Sequence, residues 1–351
     1  MATFTIFQPG DTVDSIDRVY TSAWSNNTND LGTIDGFYSS STQYITTSPT
    51  SSGAFYMEIY DKNPDTDSTA EVQFSITYGN RFGSGSLDFS NDPGGYGFSA
   101  AKSVYNQYRN LVFGGDETQN FSFDGYTPDD IYVININRAR YKNALRLNNL
   151  NLQLSGSTKL LKLTSDSVTT SGSANAIRAG VGREFNLVSG SNGERVGDSN
   201  IYVTNSGSYG YIYPDAGFII LNADALDATA TDNGILLGTD TTSHNNGKNP
   251  LKLQNALILG DSFILDAQED IASKYYFIRV KNQDFNYTTN DSFTQDDGTL
   301  SFDSMIDNPR VYITTVGLYN DNQDLLAVAK LSQPLPKDFT KEALIKVKLD
   351  Y

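Results

Sequence analysis

Cysteine is absent from the 351-residue sequence, and histidine occurs only once. Without cysteine there can be no disulfide, no thiolate nucleophile and no cysteine-ligated metal. The one histidine, His244, lies in the polar stretch DTTSHNNGKNP, a setting that is typical of a solvated loop side chain. Because a GxSxG motif is also absent, no Ser–His or Cys–His catalytic arrangement is predicted.

Long apolar runs and basic side chains are scarce as well. No stretch approaches the length of a membrane-spanning helix, and residues 1–20 lack the basic start and the apolar run of a secretory signal. We therefore expect a soluble protein that is made in a cytoplasm and has no membrane partner. The net charge is −16. Since an acidic surface repels phosphate backbones, no nucleic-acid partner is expected.

One segment imitates a metal site. DKNPDTD places oxygen-bearing side chains at alternate positions, as at the start of a calcium loop: Asp61, Asn63, Asp65 and Asp67. The match then fails, because Thr66 stands where the turn glycine belongs and Val72 stands where the bidentate glutamate belongs. Strands rather than helices flank the segment. The sequence therefore favours an Asn-Pro turn at this point.

Motifs for phosphate binding and for glycoside hydrolysis are incomplete. GNRFGSGS and AGVGREF contain paired glycines, but neither has the Lys-Ser/Thr ending or the full dinucleotide spacing. Paired carboxylates remain open in a chain with 41 acidic residues, although no pair stands out. We predict no enzymatic activity, no cofactor and no catalytic, cofactor-binding or metal-binding residues.

What is present indicates a mainly β protein. The chain has 22 Tyr and 19 Phe, which bury large areas, together with abundant Gly, Ser, Thr, Asn and Asp for polar turns. One strand, AEVQFSITYG, alternates without a break at Val72, Phe74, Ile76 and Tyr78. We expect a mainly β fold with a few short helices, β-sandwich-like sheets and a β-rich inserted region.

The chain divides into four predicted segments. Residues 1–53 form an irregular N-terminal arm with one short helix around DSIDRVYTSAW, and such an arm would order against a partner. Residues 54–154 form the first part of a β-rich framework domain, and residues 155–270 form a Ser- and Gly-rich β insertion. Residues 271–351 form a C-terminal β-sheet block, which we expect to pack with 54–154.

Two helices and the last strand are predicted in detail. The segment SAAKSVYNQYRNLVFGG has an apolar stripe at helical spacing, with Ser99 as N-cap and Gly114 as C-terminal stop. NPLKLQNALILG predicts a short helix with Pro250 in its first turn. At the end, EALIKVKLDY alternates, and we expect four apolar side chains toward the core of a sheet of at least four strands: Ile345, Val347, Leu349 and Tyr351. Lys346 and Lys348 would face solvent or an acidic neighbouring subunit.

Two blocks of sequence, one before and one after the predicted insertion, belong together. The first comprises AEVQFSITYGNRFGSGS, KSVYNQYRNLVF and DDIYVININRARYKNALRLNNLNLQLSG. The second comprises YFIRVKNQDFNYTTNDSF, NPRVYITTVGLYNDNQDLLAVAKLSQPLPK and ALIKVKLDY, an ending similar to that of several tail and baseplate proteins. Together these blocks resemble virion structural proteins of contractile-tailed bacteriophages, especially those that infect cyanobacteria. The blocks cover residues 54–160 and 270–351, and they are framework motifs without catalytic residues.

The resemblance implies a structural component of a phage particle, located in the virion and most simply in its tail or baseplate. It also implies partners among other virion proteins and a symmetric homo-oligomer in the particle. Two alternatives stay open: a capsid or neck structural protein, and a tail protein that binds or cleaves a host glycan. Position in the particle distinguishes a tail or baseplate protein from a capsid or neck protein. Glycan binding by the isolated protein distinguishes the glycan-binding or glycan-cleaving alternative from both.

Overall fold

The computed structural model of the protein describes residues 4–40, 56–85, 99–157, 159–196, 203, 206–241, 248–287 and 291–351. The strands are β1 Thr12–Ser22, β2 Tyr56–Tyr60, β3 Val72–Asn80, β4 Asp130–Ile136, β5 Ala144–Ser155, β6 Leu160–Ser165, β7 Ala176–Arg178, β8 Gly182–Ser191, β9 Glu194–Arg195, β10 Gly210–Tyr213, β11 Phe218–Asn222, β12 Phe263–Val280, β13 Val311–Tyr319, β14 Leu325–Lys337 and β15 Ala343–Asp350. The helices are α1 Ala100–Phe113, α2 Ala223–Asp227 and α3 Lys248–Gly260. The predicted fold class, mainly β with a few short helices, is confirmed.

The chain forms two compact units. The larger unit comprises Val19–Glu269, and the smaller unit comprises Met1–Arg18 with Asp270–Tyr351. The predicted segments are grouped differently, because 54–154 and 155–269 both lie in the larger unit. The reason is pairing: β6 of the second segment pairs with β5, and β11 pairs with β4. The packing of 271–351 with 54–154 stays a prediction.

An antiparallel ladder builds the larger unit, in the order β5-β6-β8-β10-β11-β4-β3-β2, with the first half of β12 beside β5. Strand β4 is buried on both faces. Its residues Ile131 and Val133 belong to one apolar cluster, and Tyr132, Ile134 and Ile136 belong to another. Because both faces are covered, residues 131–134 form a continuous apolar run rather than an alternating pattern.

Helix α1 contributes to both apolar clusters of the larger unit, with Ala101 in the larger one, whereas α3 contributes only to the larger one. Tyr105 and Val112 of α1 lie in the smaller cluster, whereas Leu253 and Leu257 of α3 lie in the larger one. Both helices were predicted, and the caps of α1 are confirmed: the Ser99 side chain accepts from the Lys102 N–H, and Gly114 adopts φ +69°. Helix α1 also crosses β3 at Gly79, where a Cβ would lie 3.0 Å from the Tyr105 nitrogen.

The predicted helix around DSIDRVYTSAW is wrong, because this stretch is strand β1, next to β12 in the sheet. The predicted arm of residues 1–53 is also wrong where the structure describes it beyond β1. Trp24, Leu31 and Phe37 are buried in the larger cluster, and the Trp24 indole donates to the Phe263 carbonyl at 2.6 Å. The rest of the predicted arm includes the low-complexity stretch SSSTQYITTSPTSSG, residues 39–53. Residues 41–53 of that stretch lie outside the described residues.

The predicted C-terminal sheet of at least four strands is wrong. β13 and β14 form a separate two-stranded sheet, while β15 pairs with β12 from Ser273 to Val280. Periodicity identifies strands but does not choose their partners, so four strands were correctly found and incorrectly joined. Within β15, Val347 is buried and Ile345 and Leu349 are half-buried, as predicted. Tyr351 is 76% exposed, so its predicted place in the core is wrong.

Candidate functional site

The hairpin β13–β14 in the smaller unit carries apolar side chains on its exposed face. In its register Tyr312 lies opposite Pro336, and Tyr319 lies opposite Leu325. We call five exposed side chains of the hairpin the hairpin face: Tyr312, Tyr319, Leu325, Leu326 and Val328. They are between 45% and 69% exposed. The Tyr319 ring contacts Phe4, with ring centroids 5.1 Å apart, but the five side chains together remain a largely exposed apolar surface.

The opposite face of the hairpin packs only partly. Leu318 is buried, whereas Val311, Ile313 and Val316 are half-buried. An isolated two-stranded hairpin is marginally stable in water, and it needs further packing to persist. The hairpin is thus a segment whose stability depends on contacts beyond its own two strands.

One such contact is Lys337, the last residue of β14, which is only 1% exposed. Its ammonium donates to the Asn282 carbonyl at 3.0 Å, to the Asn286 Oδ1 at 2.6 Å and to the Asp284 carbonyl. Burial lowers the pKa of Lys337, and the charges of Asp284 and Asp338 partly oppose that effect. All three N–H donors of the ammonium are satisfied. The side chain therefore fastens the hairpin to the turn that follows β12.

The DKNPDTD segment forms the predicted Asn-Pro turn. The Asn63 carbonyl accepts from the backbone N–H groups of Thr66 and Asp67. Its carboxylates are used separately: Asp61 accepts from the Glu71 N–H at 2.7 Å, and Asp67 accepts from the Thr69 N–H at 2.8 Å. The residues that the structure describes contain no group of three His, Cys, Asp or Glu placed to hold a metal ion. His244 lies outside those residues.

Both glycine-paired loops have their amides occupied by the protein's own side chains. In GNRFGSGS, the Asn80 Oδ1 accepts from the N–H groups of Phe82, Gly83 and Ser84 at 2.6–2.9 Å. In AGVGREF, the Arg183 N–H donates to the Asp215 carboxylate at 2.9 Å. An internal acceptor therefore fills the position that a phosphate oxygen would take in each loop.

The larger unit contains a buried tyrosine–carboxylate pair, Tyr78 and Asp130. The Tyr78 hydroxyl donates to Asp130, which also accepts from the Asn80 amide at 2.7 Å. Burial raises the pKa of Asp130, while the two hydrogen bonds partly oppose that effect. Asn80 links this pair to the loop amides, so the geometry is that of a structural brace. Sequence reasoning did not find it, because nothing in the local pattern shows that Asp130 is buried.

Comparisons with protein-family models, with curated proteins and with solved structures find no match. The likeness to phage virion proteins therefore remains a prediction from the quoted blocks. No helix among the described residues combines the length and the apolar character needed to cross a membrane.

Proposed function

We propose that this chain is a structural component of a phage particle, in the tail or baseplate, and that it acts through protein–protein interfaces. The observation that carries the proposal is the hairpin face, an exposed apolar surface on a hairpin that is not embedded in a core. Contiguous exposed apolar surface commonly marks a protein interaction site. The framework blocks that resemble tail and baseplate proteins support the same role.

The energetics favour an occupied hairpin face. Full burial of a large apolar side chain contributes roughly 1.5–3 kcal/mol. The five side chains of the face are about half exposed or more, so an interface could recover much of that free energy from each. Association also has an entropic cost of several kcal/mol. A particle that holds many copies at high local concentration reduces that cost, because neighbouring contacts share it.

The test is whether the chain is part of purified phage particles, and where. Peptides of the chain should band with particle proteins at a constant molar ratio through a density gradient. Gold-labelled antibody against the smaller unit should mark the tail or baseplate in micrographs. Label at the capsid or neck would instead establish the first alternative, and absence from washed particles would contradict the proposal.

The hairpin face supplies the matching variant. Leu326→Ser with Val328→Ser should reduce incorporation into particles, because both side chains are exposed and apolar. Ile177→Ser is the control, since Ile177 is 81% exposed on β7 of the larger unit and lies outside the face. Equal incorporation of both variants would contradict the role of the hairpin face. Binding of the isolated chain to host glycans, lost in Tyr312→Ser, would favour the glycan-binding alternative.

A further inference from the structure

A second surface of the smaller unit is basic and aromatic in an acidic chain. Five side chains make up this surface, which we call the basic sheet face: Tyr275, Phe277 and Arg279 of β12 with Lys346 and Lys348 of β15. Tyr275 lies opposite Lys348, and Phe277 lies opposite Lys346, so these side chains share one side of the sheet. The Lys346 ammonium lies 4.0 Å from the centroid of the Tyr275 ring.

Among the described residues, two of the three cations of the basic sheet face have no anionic partner. Lys348 is held by Asp17 at 3.0 Å and by Asp350 at 3.1 Å. Within the described ranges, no ion pair involves Arg279 or Lys346, and both are exposed. Leu344, opposite Arg279, is 61% exposed. A partner that fits this surface must therefore be acidic and must also offer apolar contact.

The same unit contains a segment with that chemistry. Residues 291–307, here called the acidic loop, contain five carboxylates and no basic residue: Asp291, Asp296, Asp297, Asp303 and Asp307. In the part of the chain that the structure describes, none of the ion pairs involves these carboxylates. Phe302 and Ile306 of the loop are 56% and 61% exposed, and Phe302 lies beside Phe293 with ring centroids 6.1 Å apart.

We propose that the basic sheet face of one copy docks the acidic loop of a second copy. Charge and apolar character both match, with Arg279 and Lys346 meeting the carboxylates while the exposed aromatic and aliphatic side chains pack together. Because the two surfaces differ, the contact is heterologous, and repeated contacts form a ring where the rotation closes. The inference deepens the proposed function, on which it rests for the assumption that copies assemble.

Charge swapping of the full chain tests the proposal. Wild type should self-associate in sedimentation velocity at about 50 mM NaCl and dissociate at about 500 mM, since salt screens exposed ion pairs. Arg279→Glu with Lys346→Glu, and separately Asp296→Lys with Asp307→Lys, should each weaken association about tenfold or more. An equimolar mixture of the two variants should associate again, because reversed faces then meet reversed loops. Lys162→Glu, on an exposed strand lysine of the larger unit, is the matched control and should associate as wild type.

Four results would overturn the inference: a monomeric wild type, no weakening in either variant, no recovery in the mixture, or equal weakening in the control. Near-ultraviolet circular dichroism verifies folding of each variant. If the variant with Arg279→Glu and Lys346→Glu unfolds, Arg279→Gln with Lys346→Gln takes its place.

Binding of a labelled oligothymidine tests the other occupant, since aromatic and basic side chains together also suit single-stranded nucleic acid. Its tight binding by wild type and loss in the reversed face would assign the surface to nucleic acid and overturn the docking of a second copy. If the chain is present in particles but does not self-associate through these surfaces, the proposed function stands and the docking of a second copy is contradicted. If the mixture of variants associates again but the chain is absent from particles, the docking stands and the proposed function is contradicted.

Discussion

The two units of the molecule differ in where their apolar side chains lie. Both apolar clusters formed by the described residues are in the larger unit. In the smaller unit, a short set of aliphatic side chains is buried among the described residues: Val280, Leu318, Ala343 and Val347. The smaller unit nevertheless holds long strands, namely β14 and the part of β12 from Asp270 to Val280. The larger unit is thus stabilised by its interior, whereas the smaller unit presents its apolar strands outward.

This difference teaches that regular secondary structure and a core are separable. Alternating strands form wherever backbone hydrogen bonds and one half-buried face suffice, but lasting stability requires several strands with a covered apolar face. The smaller unit has the strands, but most of its apolar strand side chains are half-buried or exposed among the described residues. We interpret it as the part of the chain that completes its packing in an assembly.

The largest expected effect follows from the core of the larger unit. Phe74 is fully buried, with its ring 5.5 Å from that of Phe263. Phe74→Ala should lower the free energy of unfolding by about 3–5 kcal/mol, because it leaves a cavity. Leu326→Ala on the hairpin face should change it by less than about 0.5 kcal/mol. The only tryptophan, Trp24, is in the larger unit, so its fluorescence in denaturant measures the effect of Phe74→Ala. Hydrogen exchange of the β13 and β14 amides in the smaller unit measures the effect of Leu326→Ala. Similar losses in the two variants would break the comparison.

A smaller effect is expected from removal of the last strand. Deleting residues 345–351 removes Val347, whose full burial contributes about 1.5–3 kcal/mol, and leaves the Ser273–Ile278 part of β12 without its β15 partner. The melting temperature of the smaller unit should fall, and amides of that part of β12 should exchange faster with solvent. Tyr351→Ser is the control, because that side chain is mostly exposed. An unchanged melting temperature in the deletion would show that β15 does not stabilise the unit.

Lys337 allows a more local test of the smaller unit. Lys337→Met keeps the aliphatic stem and removes the ammonium, so three oxygens lose their donor. An acceptor left unpaired in a buried position costs about 1–3 kcal/mol, and hydrogen exchange in β13 and β14 should accelerate accordingly. Lys330→Met in the same strand is the matched control, since Lys330 is exposed. Equal exchange in the two variants would mean that Lys337 does not fasten the hairpin.

The sequence predicted those elements whose local chemistry decides their structure. The caps at Ser99 and Gly114 bound α1 as expected, and the alternation of β15 placed Val347 inside and Lys346 outside. Strand β1 was misread because Ile16, Val19 and Tyr20 also fit the spacing of an amphipathic helix. Its neighbour in the sheet, β12, lies more than 240 residues away along the chain, and no local pattern reveals that.

The candidate site was less predictable than the fold. VYITTVGLY is apolar or β-branched at nearly every position, so its pattern does not show which face of β13 is buried. Lys337 stands between a proline and an aspartate, a context in which lysine is ordinarily exposed. Its burial follows from three carbonyl oxygens of residues 282–286, which only the tertiary structure brings together.

The smallest expected effect concerns an ionisable group inside the larger unit. Burial raises the pKa of Asp130 above its ordinary value of 3.8. The folded state therefore binds a proton more readily than the unfolded chain, and this carboxyl opposes folding fully only above its folded pKa. As the pH falls from 7 toward 3.8, wild type should gain stability relative to Asp130→Asn, which cannot titrate. Trp24 fluorescence in denaturant at several pH values measures the difference.

Asp297 in the smaller unit supplies the contrast, because hydrogen bonds from the Thr299 hydroxyl and N–H lower its pKa. That group stabilises the fold above pH 3.8 and loses its effect as the pH falls through the lowered folded pKa, so wild type should lose stability there relative to Asp297→Asn, as hydrogen exchange of the smaller unit would show. The same sign of pH dependence in both pairs would contradict the distinction between the buried carboxyl of Asp130 and the exposed, hydrogen-bonded carboxyl of Asp297.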